Sequence, residues 1–171
     1  MREIKFRGKA IMSIEELELM GIEHDNGWVY GNLIKNGNRP IISSDIVEEI
    51  DESIYPEWWV VVEPDSVGQY TGLKDKNGTP IYEGDIVTGE SFETSMLKHW
   101  KTGLLKHLDY EVEYVPEIYV IKYHEASFKT FDSKGGWVAV LNHHVSSEVK
   151  DLQVIGNIFE NPELLEGERN E

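Results

Sequence analysis

Cysteine is absent from the 171 residues, which excludes disulfides, thiolate metal sites and cysteine nucleophiles together. A reducing cytoplasm is the simplest setting for such a chain. Long apolar runs are missing too. The longest, residues 58–62, falls far short of the roughly 20 residues that span a bilayer, so no membrane partner is expected. The opening Met1-Arg2-Glu3-Ile4-Lys5-Phe6-Arg7 is charged and offers no apolar leader. Basic residues are scarce, 16 Lys and Arg against 32 Asp and Glu, for a formal net charge of −16. That charge repels phosphate backbones at long range and argues against nucleic acid as a partner. Catalytic signatures are lacking as well: there is no G-x-S-x-G, no P-loop and no G-x-G-x-x-G after a strand. No catalytic residue, metal ligand or cofactor is assigned, and the balance leans away from an enzyme.

What is present suits a globular chain. Hydrophobic residues make up 40%, with 5 Trp, 8 Tyr and 5 Phe, enough to pack a core. The charge is uneven. Residues 41–65 hold eight acids (Asp45, Glu48, Glu49, Asp51, Glu52, Glu57, Glu63 and Asp65) and no Lys or Arg, whereas Arg2, Lys5, Arg7 and Lys9 oppose only Glu3. The acidic stretch reads as a solvated face with a charge-protected edge strand, or as a surface for a basic partner and, in its sharpest form, a mimic of DNA. Arg2, Lys5 and Arg7 are the phosphate contacts to test if the chain binds nucleic acid directly.

Periodicity points to strands. Residues 3–7 alternate polar and apolar, residues 28–34 and 40–43 follow, and 58–62 reads as a strand covered on both faces. Further strands are expected at 81–87, broken at Gly84, and at 111–115, 118–123, 127–131, 137–141 and 152–159. Two short helices interrupt them. Ser13-Ile14-Glu15-Glu16 fits a capping box opening a helix near 13–20. Phe92, Met96, Trp100 and Leu104 form one stripe of a second helix near 92–106. Many short strands separated by turn signals predict a mainly β fold of one or more small barrels. A boundary falls near residues 64–67, giving an N-terminal β region at 1–65, a C-terminal barrel at 66–165 and a frayed tail at 166–171.

Six histidines and many carboxylates invite a metal site. His143 and His144 are adjacent, so an extended strand points them to opposite faces. His99 and His107 stand eight residues apart, outside the spacing that clasps a metal on a helix. Glu83 and Asp85 flank Gly84 and could bind a divalent ion through hard oxygen ligands, with His124 as a third ligand. The competing reading makes Asp85 the organiser of a turn, its carboxylate accepting backbone bonds, and that reading is favoured. Tyr70, Tyr82, Tyr119 and Tyr123 could line a peptide groove beside Glu83 and Asp85, or form barrel core. An exposed strand edge could also pair two copies into a homo-oligomer.

Segment 67–78, with Tyr70-Thr71-Gly72 and the Asp75-Lys76-Asn77-Gly78 turn, runs on through Ile81-Tyr82-Glu83-Gly84-Asp85-Ile86-Val87 and resembles the YopX family. The opening eight residues and the closing Val154-Ile155-Gly156-Asn157-Ile158-Phe159-Glu160-Asn161-Pro162-Glu163-Leu164-Leu165 agree in order, and Trp28-Val29-Tyr30-Gly31 resembles the early strand of one subgroup. The resemblance implies an accessory protein of bacteriophages and prophages, at work in the host cytoplasm, with an SH3-type barrel in its C-terminal half. It supplies no activity and no catalytic residue. Residues 13–23 and 91–108 are additions to the compact family pattern. A host or phage protein is the expected partner.

Overall fold

The computed structural model describes residues 4–50, 53–91, 115–141 and 149–166. The chain divides into two compact units, Met1–Gly72 and Leu73–Glu171.

In the first unit, β1 (Phe6–Lys9) pairs antiparallel with β2 (Trp28–Ile34), and β2 with β3 (Ile41–Ser43). On the far side of β3 lies β6 (Trp59–Val61), and β7 (Gly68–Lys74) lies on the far side of β1, so the order is β6-β3-β2-β1-β7. The inward positions are apolar: Val29, Ile42, Val60 and Val62 are buried together with Leu17 and Ile22.

Leu17 belongs to α1 (Ile14–Leu19), which opens with the expected capping box. The Ser13 hydroxyl accepts from the Glu16 amide at 3.3 Å, and the Glu16 carboxylate accepts from the Ser13 amide at 2.8 Å. The helix ends where Gly21 takes a left-handed φ of 68°, a conformation that favours glycine. Its amide then donates to Glu18 and the Ile22 amide to Leu17. This closing motif sets Ile22 against Leu17 in the core.

The strand order is interrupted between β3 and β6 by β4 (Ile46–Ile50) and β5 (Ser53–Pro56), which form a two-stranded ladder of their own. Gly31 permits the tight β2–β3 approach, since a β-carbon there would collide with the Ser43 carbonyl oxygen.

The second unit begins in the last residues of β7, which turn into β8 (Pro80–Tyr82). Its main sheet has the order β12-β11-β10-β9-β13, built from β9 (Asp85–Ser91), β10 (Val115–His124), β11 (Ser127–Phe131), β12 (Trp137–Val140) and β13 (Val149–Asn157). Alternate residues of β10 and β11 face a core of Ile81, Val87, Tyr119, Ile121, Phe128 and Ala139.

The mainly β architecture matches the expectation, but among the described residues the sheets are not closed barrels. In the first unit the sheet returns on itself through the Ala10–Val62 bridge, with Glu63 donating to the Lys9 carbonyl and Ile11 to that of Val61. In the second, β12 and β13 stand at opposite edges. The pairing of β13 with β9 shifts register at Lys150/Gln153 and at Val154/Gly156. Of the two expected helices α1 is present, and the one near 92–106 lies outside the described residues. A one-turn 3-10 helix, Pro162–Leu165, follows Asn161, with its proline in the first turn.

Candidate functional site

The long motif that carries the family resemblance spends its polar groups on turns. Asp75 accepts from the Asn77 and Thr79 amides through Oδ1, at 2.8 and 2.9 Å, and from the Val154 amide through Oδ2 at 3.1 Å. Burial alone would raise its carboxyl, but the amides of Thr79, Val154 and Asn77 outweigh it and hold the pKa below the usual aspartate value. Asp85 is fully buried, and its Oδ2 accepts from the Tyr82 amide at 2.7 Å across Glu83 and Gly84. It therefore organises the turn between β8 and β9. At the other end of the motif set, the Asn157 side-chain oxygen accepts from the amides of Phe159 and Glu160 at 3.0 and 2.9 Å.

Of the six residues nominated for a binding surface, Tyr82 and Asp85 meet in the turn between β8 and β9, and Glu83 meets the backbone of Tyr123. Tyr82 and Tyr119 are buried, and the Tyr119 hydroxyl donates to Glu117 at 2.8 Å. Glu83 accepts from the Tyr123 amide at 3.2 Å. Tyr123 is exposed and meets the Phe128 ring edge-on at 5.1 Å between centroids. Tyr70 lies in the first unit, half-buried on β7. Glu83, Asp85 and His124 form no metal cluster, since no group of three or more His, Asp or Glu among the described residues could hold an ion. His124 instead sits edge-on to Phe131 and 3.5 Å from Glu125. His99, His107, His143 and His144 lie outside the described residues.

Four cations, Arg7, Lys9, Lys122 and Lys129, lie against aromatic rings. The Arg7 guanidinium, buried, lies 4.8 Å from the Trp28 ring centroid. Lys9 stands 5.8 Å from the same ring and donates to the Asn26 carbonyl at 2.7 Å. Arg7 is thus a poor phosphate contact, contrary to one reading of the basic N-terminal strand, and Arg2 lies outside the described residues. On the second sheet Lys122 lies 5.2 Å from Phe131 and Lys129 5.3 Å from Trp137. Lys129 also pairs with Glu125 at 2.7 Å. That hydrogen bond and charge, with His124 adding to them, hold the Glu125 carboxyl below the usual glutamate range.

The acidic stretch has the most open geometry. Ile41, Ile42 and Ser43 pair with Val61, Val60 and Trp59, and the register resumes at Ile46 with Pro56. Between these ladders Ser44 donates to the Trp58 carbonyl at 3.0 Å. β3–β4 and β5–β6 are therefore the two arms of one long hairpin, whose outer half pairs with no other strand among the described residues. A shift between Ile46 and Glu48 marks a bulge in that half.

From Tyr55 to Val60 exposure alternates at the period of a strand. Tyr55 and Trp59 are 49% and 57% exposed with Glu57 exposed between them, while Pro56 and Trp58 are half-buried and Val60 is buried. Asp45, exposed on the opposite arm, accepts from the Asn32 amide group at 2.9 Å. The strand expected to be covered on both faces is thus open on one, because among the described residues none covers Trp59 on the outward side of β6. Sequence reasoning missed this stripe: the Trp58-Trp59 pair reads as a continuous apolar run, yet the period of two from Tyr55 through Glu57 to Trp59 was there to be seen. Among the other acids, Glu63 and Asp65 are exposed beyond β6, and the side chains of Glu48, Glu49, Asp51 and Glu52 lie outside the described set.

No helix among the described residues is long and apolar enough to cross a membrane. No curated protein matches the chain. The crystal structure of protein EF1440 from Enterococcus faecalis is similar, with 23% identity and a TM-score of 0.45, over 96% of this chain and 99% of that one. The model of the YopX protein family matches residues 6–166, so the chain, motif turns and acidic hairpin included, belongs to the YopX family.

Proposed function

We propose that this protein is a non-catalytic accessory protein of a phage or prophage, working in the bacterial cytoplasm by binding a host or phage protein through the hairpin of residues 41–61. One observation carries the reading: Tyr55, Glu57 and Trp59 are all exposed along one arm of the hairpin, from β5 across the bend at Glu57 to β6, in a stretch of eight acids without a Lys or Arg. Tyrosine and tryptophan are the residues that concentrate energy at protein interfaces, since each offers large ring area at low entropic cost. Two copies of so acidic an arm repel each other, which favours a different chain as the partner over self-pairing.

Affinity capture from bacterial lysate tests this, comparing the wild type with a Tyr55→Ala/Trp59→Ala double variant. Both side chains are exposed, so the fold is expected to survive, as circular dichroism will check. A protein retained by the wild type and lost by the variant supports the proposal. Equal retention by both, or retention by neither, overturns it.

A further inference from the structure

We infer that the stripe of Tyr55, Glu57 and Trp59 receives an arginine-bearing segment of the partner, one guanidinium lying on a ring while it pairs with the Glu57 carboxylate. The inference rests on the binding reading above and names the chemistry of the occupant.

Geometry is the first support. Glu57 stands at the bend between β5 and β6, two residues from each ring, so its α-carbon lies at most roughly 7 Å from theirs, and a guanidinium interacts with a ring when it lies within about 6 Å of the centroid. A cation on Trp59 or Tyr55 is therefore within reach of Glu57. Among the described residues no hydrogen bond or ion pair engages the Glu57 carboxylate, which is exposed. Charge is the second support. Residues 41–65 carry only acids among their charged side chains, and the nearest cations in sequence, Lys35 and Arg39, lie on the β2–β3 turn, at the opposite end of the hairpin from β4–β5. The third is chemical type. Arginine is planar, weakly hydrated and able to bind a carboxylate through two parallel hydrogen bonds, whereas lysine is a compact and strongly hydrated point charge. The same pairing already occurs inside this unit, where Arg7 lies 4.8 Å from the Trp28 centroid.

The test titrates the full chain with two synthetic octapeptides, one alternating arginine and glycine and the other alternating lysine and glycine, at about 0.15 M salt. The indole N–H resonance of Trp59, assigned through a Trp59→Leu variant, reports contact, and calorimetry reports affinity. The arginine peptide is expected to bind about fivefold or more tightly than the lysine peptide, and to shift the Trp59 resonance. Glu57→Gln, which keeps shape and removes charge, is expected to weaken the arginine peptide about fivefold. Equal binding of the two peptides, an unmoved Trp59 resonance, or no loss with Glu57→Gln overturns the arginine inference. If lysate capture still depends on Tyr55 and Trp59 in that case, the binding reading stands and only the nature of the occupant falls.

Discussion

Asp75 shows how a single carboxylate is used in this fold. One oxygen closes the turn that joins β7 to β8, and the other reaches the Val154 amide on β13, 79 residues away. An asparagine keeps one acceptor oxygen and places an amide group where the second acceptor stood, so at least one buried amide loses its partner. Asp75→Asn is expected to cost about 1–3 kcal/mol, read from the urea midpoint at neutral pH. The folded-state pKa of Asp75 lies below its unfolded value. Its contribution is therefore complete above the ordinary aspartate pKa and lost as pH falls through the lower, folded-state value. The gap between wild type and Asp75→Asn should accordingly narrow on acidification from pH 7 to about pH 3. A gap that stays constant would show that charge plays no part in this turn.

At the scale of elements, local signals were read well and pairing was not. Ser13 and Glu16 announce α1, because capping is written in four consecutive residues. The strand at 28–34 stands where the period of two places it. The hairpin of β4 and β5 carries no such signal, since the sequence between Ile50 and Ser53 supplies no Gly, Pro or Asn punctuation, and one shift at Ile46/Glu48 breaks the alternation. The candidate stripe was hidden for a related reason. Whether Trp59 faces a core or solvent depends on what lies over β6, and a residue's own neighbours in sequence do not decide that.

The arm is tied to the rest of its unit through β3, which pairs with β2 at Asn32↔Ser43. Gly31 lies beside this junction. In Gly31→Ala the new methyl would meet the Ser43 carbonyl oxygen, a backbone atom that cannot swing aside as a side chain does. A loss of about 3 kcal/mol is expected by urea denaturation. The Asn32 and Ser43 amides should exchange faster with solvent, by hydrogen-exchange mass spectrometry. If their protection is unchanged, the close approach of β2 and β3 is not what holds the arm.

Across the whole molecule, the family motif and the candidate surface occupy different parts of the chain. The motif side chains of Asp75, Asp85 and Asn157 fasten turns in the second unit, while Tyr55, Glu57 and Trp59 lie on a hairpin of the first. The resemblance could therefore reveal the fold while remaining silent on chemistry. The overall charge acts on both units. With 32 acids against 16 bases, self-repulsion opposes the compact state, and salt screens it over roughly 8 Å at physiological strength. The ring-stacked cations Arg7 and Lys129, both buried, will respond little, because a cation seated on a ring and withdrawn from water is screened less than an exposed pair. The dominant effect of salt is then relief of repulsion among the exposed acids. Raising sodium chloride from about 0.01 M to about 0.15 M should raise Tm by about 2–4 °C. A fall in Tm would mean that attractive surface ion pairs outweigh the repulsion, and it would remove the electrostatic ground for expecting a basic partner at the arm.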